Sequence, residues 1–183
     1  RTKLSLNGAV IFPFKLSCFK EMLSAVAPTM LFDDGHVSLR ALSLLVKDGS
    51  LSCTTVDGLR LSIAKTKIDP DTALQLQGLT VQALIPPRVV SILSNLSAEA
   101  ETCMIAITKD AMSVTIGSLK FQTNLMDINY PDVNKVLPTS TVGTVIVNSA
   151  EFKGLLERSK IALDVSSGGS KLPPRLDMTF KAD

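Results

Sequence analysis

The residues with most chemical potential are Asp33, Asp34 and His36, grouped around Gly35. A cation site needs several converging ligands, whereas three polar residues about a glycine read as a solvated loop, so no metal is expected. His36 is the only histidine. Any Ser-His-Asp or Cys-His system would have to use it, and nothing places a nucleophile nearby. Cys18, Cys53 and Cys103 are isolated, without CxxC spacing; they read as reduced, buried thiols of a cytosolic protein. Gly168-Gly169-Ser170-Lys171 has the flavour of a phosphate loop. It lacks the strand–GxxxxGK[ST]–helix context and runs into Pro173-Pro174, so it reads as a plain loop. Asp57-Gly58 reads as a tight turn in which glycine supplies a positive φ, not as a catalytic acid. No catalytic residue and no cofactor are expected.

The elements that would position such groups come from an aliphatic chain. At 183 residues and 45% hydrophobic, with no Trp, one Tyr and seven Phe, it can bury a core of Leu, Val, Ile and Ala. It lacks the aromatic platforms that stack single-stranded bases. A net charge of +2 does not announce a nucleic-acid groove, so any phosphate contact must come from a local surface. No apolar run reaches the roughly 18 residues of a membrane span. Asn95-Leu96-Ser97 matches a glycosylation acceptor but has no accompanying signal-peptide pattern.

One unit recurs: an amphipathic helix, a strand, a turn, and a returning strand. The first copy predicts a helix over Ser17–Ala27 with Phe19, Leu23 and Val26 on one face, Ser17 as cap and Pro28 as terminator. Strands Ala41–Val46 and Ser50–Thr55 flank a Lys47-Asp48-Gly49 turn, and Leu59, Leu61 and Ile63 alternate with Arg60 and Ser62 in the next strand. The second copy opens at Pro86-Pro87, with Val89, Val90, Leu93 and Leu96 as its apolar face. Strands over Cys103–Ile107, Met112–Ile116 and Leu119–Leu125 follow. The third opens with Asn148 or Ser149 as cap, has Phe152, Leu155 and Leu156 as its apolar face, and runs to a strand at Leu176–Phe180. That strand lacks a partner, an edge that natural domains avoid, so the chain reads as cut short. The spacing of roughly 60 to 70 residues exceeds that of solenoid repeats and points to α+β half-domains, two to a domain.

Two stretches within this repeat carry a family resemblance. Thr55-Val56-Asp57-Gly58-Leu59-Arg60-Leu61 resembles the Thr-Asp-Gly-His-Arg-Leu segment in the middle domain of bacterial sliding clamps, the beta subunit of DNA polymerase III. Phe121-Gln122-Thr123-Asn124-Leu125-Met126-Asp127, followed by Tyr130-Pro131-Asp132-Val133-Asn134-Lys135-Val136-Leu137-Pro138, resembles that domain's closing strand and its Phe-Pro-Asp-Tyr-Arg-Arg-Val-Leu-Pro segment. Val56, Leu59 and Lys135 depart from the family, which commonly has Thr, His and Arg there. The Lys135 exchange matters because Arg and Lys are not equivalent donors.

The resemblance implies a DNA-clamp fold: repeated helix–antiparallel-strand half-domains with the helices on one face of the sheet. Residues 1–13 would be a leading strand or linker from a preceding domain, 14–138 the central clamp domain, and 139–183 a linker and truncated start of a third domain. Leu39, Gly58, Arg60, Leu61, Pro131, Lys135 and Val136 would line a pocket for partner peptides, although core packing remains open for Leu61. Lys15, Lys20, Arg88, Lys153, Arg158 and Lys160 would face DNA phosphates; without the resemblance they read as solvated helix faces. The implied function is that of a DNA polymerase processivity factor, acting in the bacterial cytoplasm at the nucleoid. It would encircle duplex DNA non-specifically, dock polymerase and clamp-loader subunits, and in its full-length parent form a homodimeric ring. The competing reading is a clamp-like interaction adaptor that no longer closes a ring.

Overall fold

The computed structural model describes residues 6–30, 37–96, 99–141, 143–166 and 176–179. Asp33, Asp34, His36, the Gly168–Lys171 loop and Phe180 lie outside the described residues. The chain divides into two compact units, Arg1–Asp132 and Val133–Asp183.

In the first unit, β1 (Val10–Lys15) runs without a loop into α1 (Leu16–Val26). Leu16, Phe19, Met22, Leu23 and Val26 are the buried face of α1, the i, i+3, i+4, i+7 stripe of an amphipathic helix. The expected Ser17 cap is not used. The helix begins one residue earlier, after extended Lys15, with no side-chain cap. The Leu16 N–H instead donates to the Glu101 carbonyl at 2.9 Å, which satisfies one of the amides a helix start leaves unpaired. Pro28 acts as expected, since the helix gives way to a 3-10 turn at Ala27–Thr29.

Next come β2 (Leu42–Lys47), β3 (Ser50–Val56) and β4 (Leu61–Lys67), then α2 (Pro70–Gln75) and β5 (Thr80–Ile85). Asp48 and Gly49 both have positive φ, 49° and 66°, the geometry that a two-residue hairpin loop requires. α2 was missing from the sequence reading although its signal is plain. Asp69 accepts from the amides of Asp71 and Thr72 and Pro70 opens the helix, a cap followed by proline at the first helical position. The second half repeats the order with α3 (Pro87–Ser94), β6 (Thr102–Ile107), β7 (Ala111–Ile116) and β8 (Leu119–Asn124).

The two antiparallel sheets have the orders β1-β6-β7-β8 and β4-β3-β2-β5. Each half reads β-α-β-β-β, and each leading strand leaves its own half to complete the other's sheet. β1 pairs with β6 from Val10↔Ile107 to Lys15↔Thr102, and β5 pairs with β2 from Leu42↔Ile85 to Lys47↔Thr80. Pro13 is tolerated because β1 is an edge strand. Phe12 and Phe14 point into the core, where Phe14 meets Phe19 of α1 edge-on at 6.3 Å. α1 and α3 pack against each other, and their apolar faces join the inner faces of both sheets in one cluster. Cys53 and Cys103 lie in that cluster, 0% and 1% exposed. Burial, and for Cys53 also the neighbouring Cys18, pushes their thiols up to about 12 and about 11.

The alternation expected for β4 fails at Leu59 and Ile63, while Leu61 is half-buried. Leu59 precedes the strand and is 97% exposed, and Ile63 faces outward. The partly buried positions are Leu61, Ser62, Ala64 and Thr66. The reason is Thr29, which is buried at the end of the 3-10 turn and needs a polar partner; its hydroxyl is hydrogen-bonded to that of Ser62.

In the second unit, a 3-10 turn spans Val133–Lys135 and α4 spans Ser149–Ser166. Of the two expected caps it is Asn148 that serves, its side chain accepting from the amides of Ala150 and Glu151 at 3.0 and 3.2 Å. Leu155, Leu156 and Ile161 are exposed on α4. Residues 176–179 are exposed and do not form the expected strand. Among the described residues, no helix is long and apolar enough to cross a membrane.

Because β1 belongs in sequence to one half and in space to the other, emptying its anchor should unfold both halves together. Phe12→Ala is expected to cost about 3–5 kcal/mol in urea denaturation, with one transition by every probe. Separate transitions for the two halves would contradict the exchanged-strand architecture.

Candidate functional site

The Asp57–Arg60 turn joins β3 to β4 and is closed on itself. The Asp57 carboxylate accepts at Oδ1 from the amides of Leu59 (3.0 Å) and Arg60 (2.7 Å), and at Oδ2 from Arg60 Nε (2.6 Å). The Asp57 amide donates back to the Arg60 carbonyl at 3.1 Å. An Asp side chain that captures amides two and three residues ahead is a local substitute for backbone turn bonding. Gly58 sits at φ 88°, a conformation other residues adopt with strain. Asp57 is 8% exposed at its side chain and Arg60 is 67% exposed. Burial pushes the Asp57 carboxyl up, but the two backbone amides and the Arg60 guanidinium outweigh it and hold the group below its ordinary value of 3.8.

Leu39, in a 3-10 turn at Val37–Leu39, approaches this turn from the side. A Cβ placed on Gly58 would stand 3.8 Å from Leu39 Cδ1. Leu61 is half-buried and pairs with Val56 where β3 and β4 meet. Leu39, Gly58, Arg60 and Leu61 therefore share one end of the β4-β3-β2-β5 sheet. Leu59, at the tip of the turn, is held out to solvent.

A strap reaches the same sheet from β8. After Asn124, the Leu125 amide donates to Asp110 O (2.9 Å) and the Met126 amide to Leu84 O on β5 (2.8 Å). Four residues on, the Tyr130 hydroxyl donates to Thr54 O on β3 at 3.0 Å. β5 and β3 flank β2, so the strap crosses two strand spacings, about 10 Å, within the reach of about 13 Å of four extended residues. Ser43 and Thr54 face away from the core along this path and are nevertheless buried, as a covering strap requires. Pro131, half-buried, follows directly. Burial pushes the Tyr130 phenol up to about 12. Lys135 and Val136 belong to the second unit, where both are exposed at and just after its 3-10 turn.

The basic residues fall into three kinds. Lys15 and Arg88 are exposed at the amino ends of α1 and α3. Lys20 is half-buried and its Nζ donates to Leu96 O at 2.7 Å, just past the carboxyl end of α3, where a cation is favoured. Lys153, Arg158 and Lys160 are exposed on α4, and Lys153 pairs loosely with Glu157 at 3.9 Å. Asp57 and Tyr130 were absent from the expected site residues. Asp57 carries a local signal in its Asp-Gly turn, whereas Tyr130 and Thr54 are too far apart in sequence for any local pattern to join them.

The family model of the DNA polymerase III beta subunit, central domain, matches residues 14–132. The beta sliding clamp of Bacillus subtilis (strain 168) is 28% identical over 67% of this chain and 32% of its own length. That of Buchnera aphidicola subsp. Rhopalosiphum padi is 28% identical over 86% and 42%. The chain thus spans less than half the length of these relatives. In fold, it is similar to the DNA polymerase sliding clamp from Bacillus subtilis, with a TM-score of 0.77 at 21% identity, covering 88% of this chain and 42% of that one. The DNA polymerase III beta subunit from Thermotoga maritima gives 0.75 at 18%, covering 86% and 42%.

The depressed Asp57 carboxyl has a pH consequence whose sign is fixed. A folded-state pKa below the unfolded one adds stability that is present above the unfolded value and lost as pH falls through the folded value. Thermal melts from neutral pH down past 3.8 should show an acid limb for the native chain that Asp57→Asn flattens. Superimposable acid limbs would mean that the turn does not depend on the ionised carboxylate.

Proposed function

The chain belongs to the DNA polymerase III beta subunit family through the central domain at residues 14–132, and from that premise we propose that it is a segment of a sliding clamp. In this reading it performs no reaction. It forms part of a ring that encircles duplex DNA without reading sequence, and it offers polymerase and clamp-loader subunits a pocket for short peptides. Residues 14–138 are then the central clamp domain and 139–183 a linker with the beginning of a third, in a parent that closes as a homodimer in the bacterial cytoplasm.

The observation that carries the reading is the self-closed Asp57–Arg60 turn, with Leu39 against Gly58. It is a partly apolar surface, held by its own hydrogen bonds, with a cation at its rim, suited to anchoring a peptide. Leu39, Gly58, Leu61 and Pro131 supply the apolar part of the pocket, with Arg60 at the edge; Lys135 and Val136 are assigned to it by the family motif. Such bonding matters because binding then orders little of the protein.

For DNA, the reading is supported by Lys15 and Arg88 at the amino ends of two adjoining helices, with Lys153, Arg158 and Lys160 on α4 as further contacts. Lys20, engaged with Leu96, contributes its charge at a distance. A sparse cationic lining attracts phosphate without gripping bases, which is what sliding requires.

Two outcomes test this. In calorimetric titration with a short synthetic peptide ending in Leu-Phe, Leu61→Ala or Pro131→Ala should lose more than ~1 kcal/mol of binding, as anchor positions do; amide shifts confined to α1 and α3 would refute the pocket. Binding to linear duplex should be weak and sequence-blind. If about 3 phosphates are neutralised, log K should fall against log[salt] with a slope of about −2.7. Tight, sequence-selective binding at moderate salt would contradict a sliding role.

A further inference from the structure

Tyr130 is the only tyrosine in the chain, and its hydroxyl is the point at which the strap is fastened to the sheet beneath it. The strap leaves β5 at Met126, whose amide donates to Leu84 O at 2.8 Å, and is next tied at Tyr130, to Thr54 O at 3.0 Å. Thr54 lies two residues before the end of β3, where the Asp57–Arg60 turn begins. The contact therefore joins the strap to the strand end that carries the turn, across 76 residues of sequence.

The next residue makes this fastening consequential. Pro131 has its φ fixed by its ring, and a residue preceding proline is restricted to extended conformations. Two adjacent stiff residues pass a constraint along the chain with little loss. Fixing the Tyr130 phenol therefore fixes the ring of Pro131, which has no amide of its own to anchor it. Tyr130 is half-buried, and that burial drives the phenol up to about 12. The hydroxyl thus stays protonated, and a donor, throughout the physiological range. A phenylalanine would fill the same volume without supplying the bond.

We propose that Tyr130 is a positioning residue for the peptide pocket: its hydroxyl latches the strap to Thr54 and so presents Pro131 in a fixed place at the end of the sheet that carries the Asp57–Arg60 turn. The pocket role rests on the reading of that surface given above, whereas the latch rests on geometry alone. It acts through Pro131, without touching the peptide.

The test is Tyr130→Phe in the full chain, which keeps the ring and removes one oxygen. Amide exchange at Met126, whose N–H is bonded to Leu84 O, should accelerate about fivefold, the expected effect of losing one hydrogen bond from a local opening. The affinity for the short peptide ending in Leu-Phe should fall by about threefold to fivefold. Core amides in β2 and β6 should exchange unchanged, which a general loss of stability would not allow. Unaltered exchange in the strap overturns the latch, whatever the peptide does. A loosened strap with undiminished peptide affinity, in a chain where Pro131→Ala does weaken binding, overturns the positioning role. Absence of peptide binding by the native chain removes the pocket reading, and with it the positioning role, while strap exchange still decides the latch.

Discussion

The pairing of each half's leading strand with the other half's sheet is the constraint on which the rest of the first unit depends. Without β1, the β6-β7-β8 meander would expose the edge of β6; without β5, the β2-β3-β4 meander would expose that of β2. Each half therefore satisfies the other's backbone, and the connection from each exchanged strand into its helix sets α1 and α3 beside one another. The side-by-side helices, their two basic amino ends and the shared core all follow from that exchange. It has a kinetic side as well. Val10 must find Ile107, and such long-range pairings require large loops to close before they are rewarded.

The surface at the end of the second sheet is built from a different principle, local saturation of hydrogen bonds. Asp57 takes up both amides ahead of it and the guanidinium of Arg60. The turn therefore needs nothing from its neighbours to hold its shape. Arg60 remains largely exposed while its charge is balanced, so the rim is polar without a strong field. Lys20 shows the reverse case, a cation drawn inward to a carbonyl just past the end of α3.

What was legible beforehand is what is encoded locally. The apolar stripes of α1 and α3, the Asp48-Gly49 hairpin and the Asn148 cap are each set by residues within a turn or two of one another. The repeat itself was visible, but its leading strands were not recognised as exchanged, because nothing within Val10–Lys15 or Thr80–Ile85 names a partner. Ile63 on β4 was misplaced because hydrophobicity was taken as the guide, when Ser62 beside it is the residue that meets the buried hydroxyl of Thr29. The start of α1 was misplaced because its first amide is satisfied by Glu101, a residue distant in sequence. The pocket residues were named by resemblance to a family, not from their own chemistry. Of these, Leu39 and Gly58 meet in space, while the bond from Tyr130 that brings in the strap was invisible to both kinds of reading.

The two core thiols have a meaning for the chain's exposure to oxidants. Cys53 and Cys103 sit where peroxide would have to cross packed aliphatic side chains to reach them. Their ionisation is displaced upward, to about 12 and about 11. Since the thiolate is the species that reacts, at most on the order of one Cys103 in ten thousand is ionised at neutral pH, and fewer of Cys53. The interior of this fold is in that sense redox-silent.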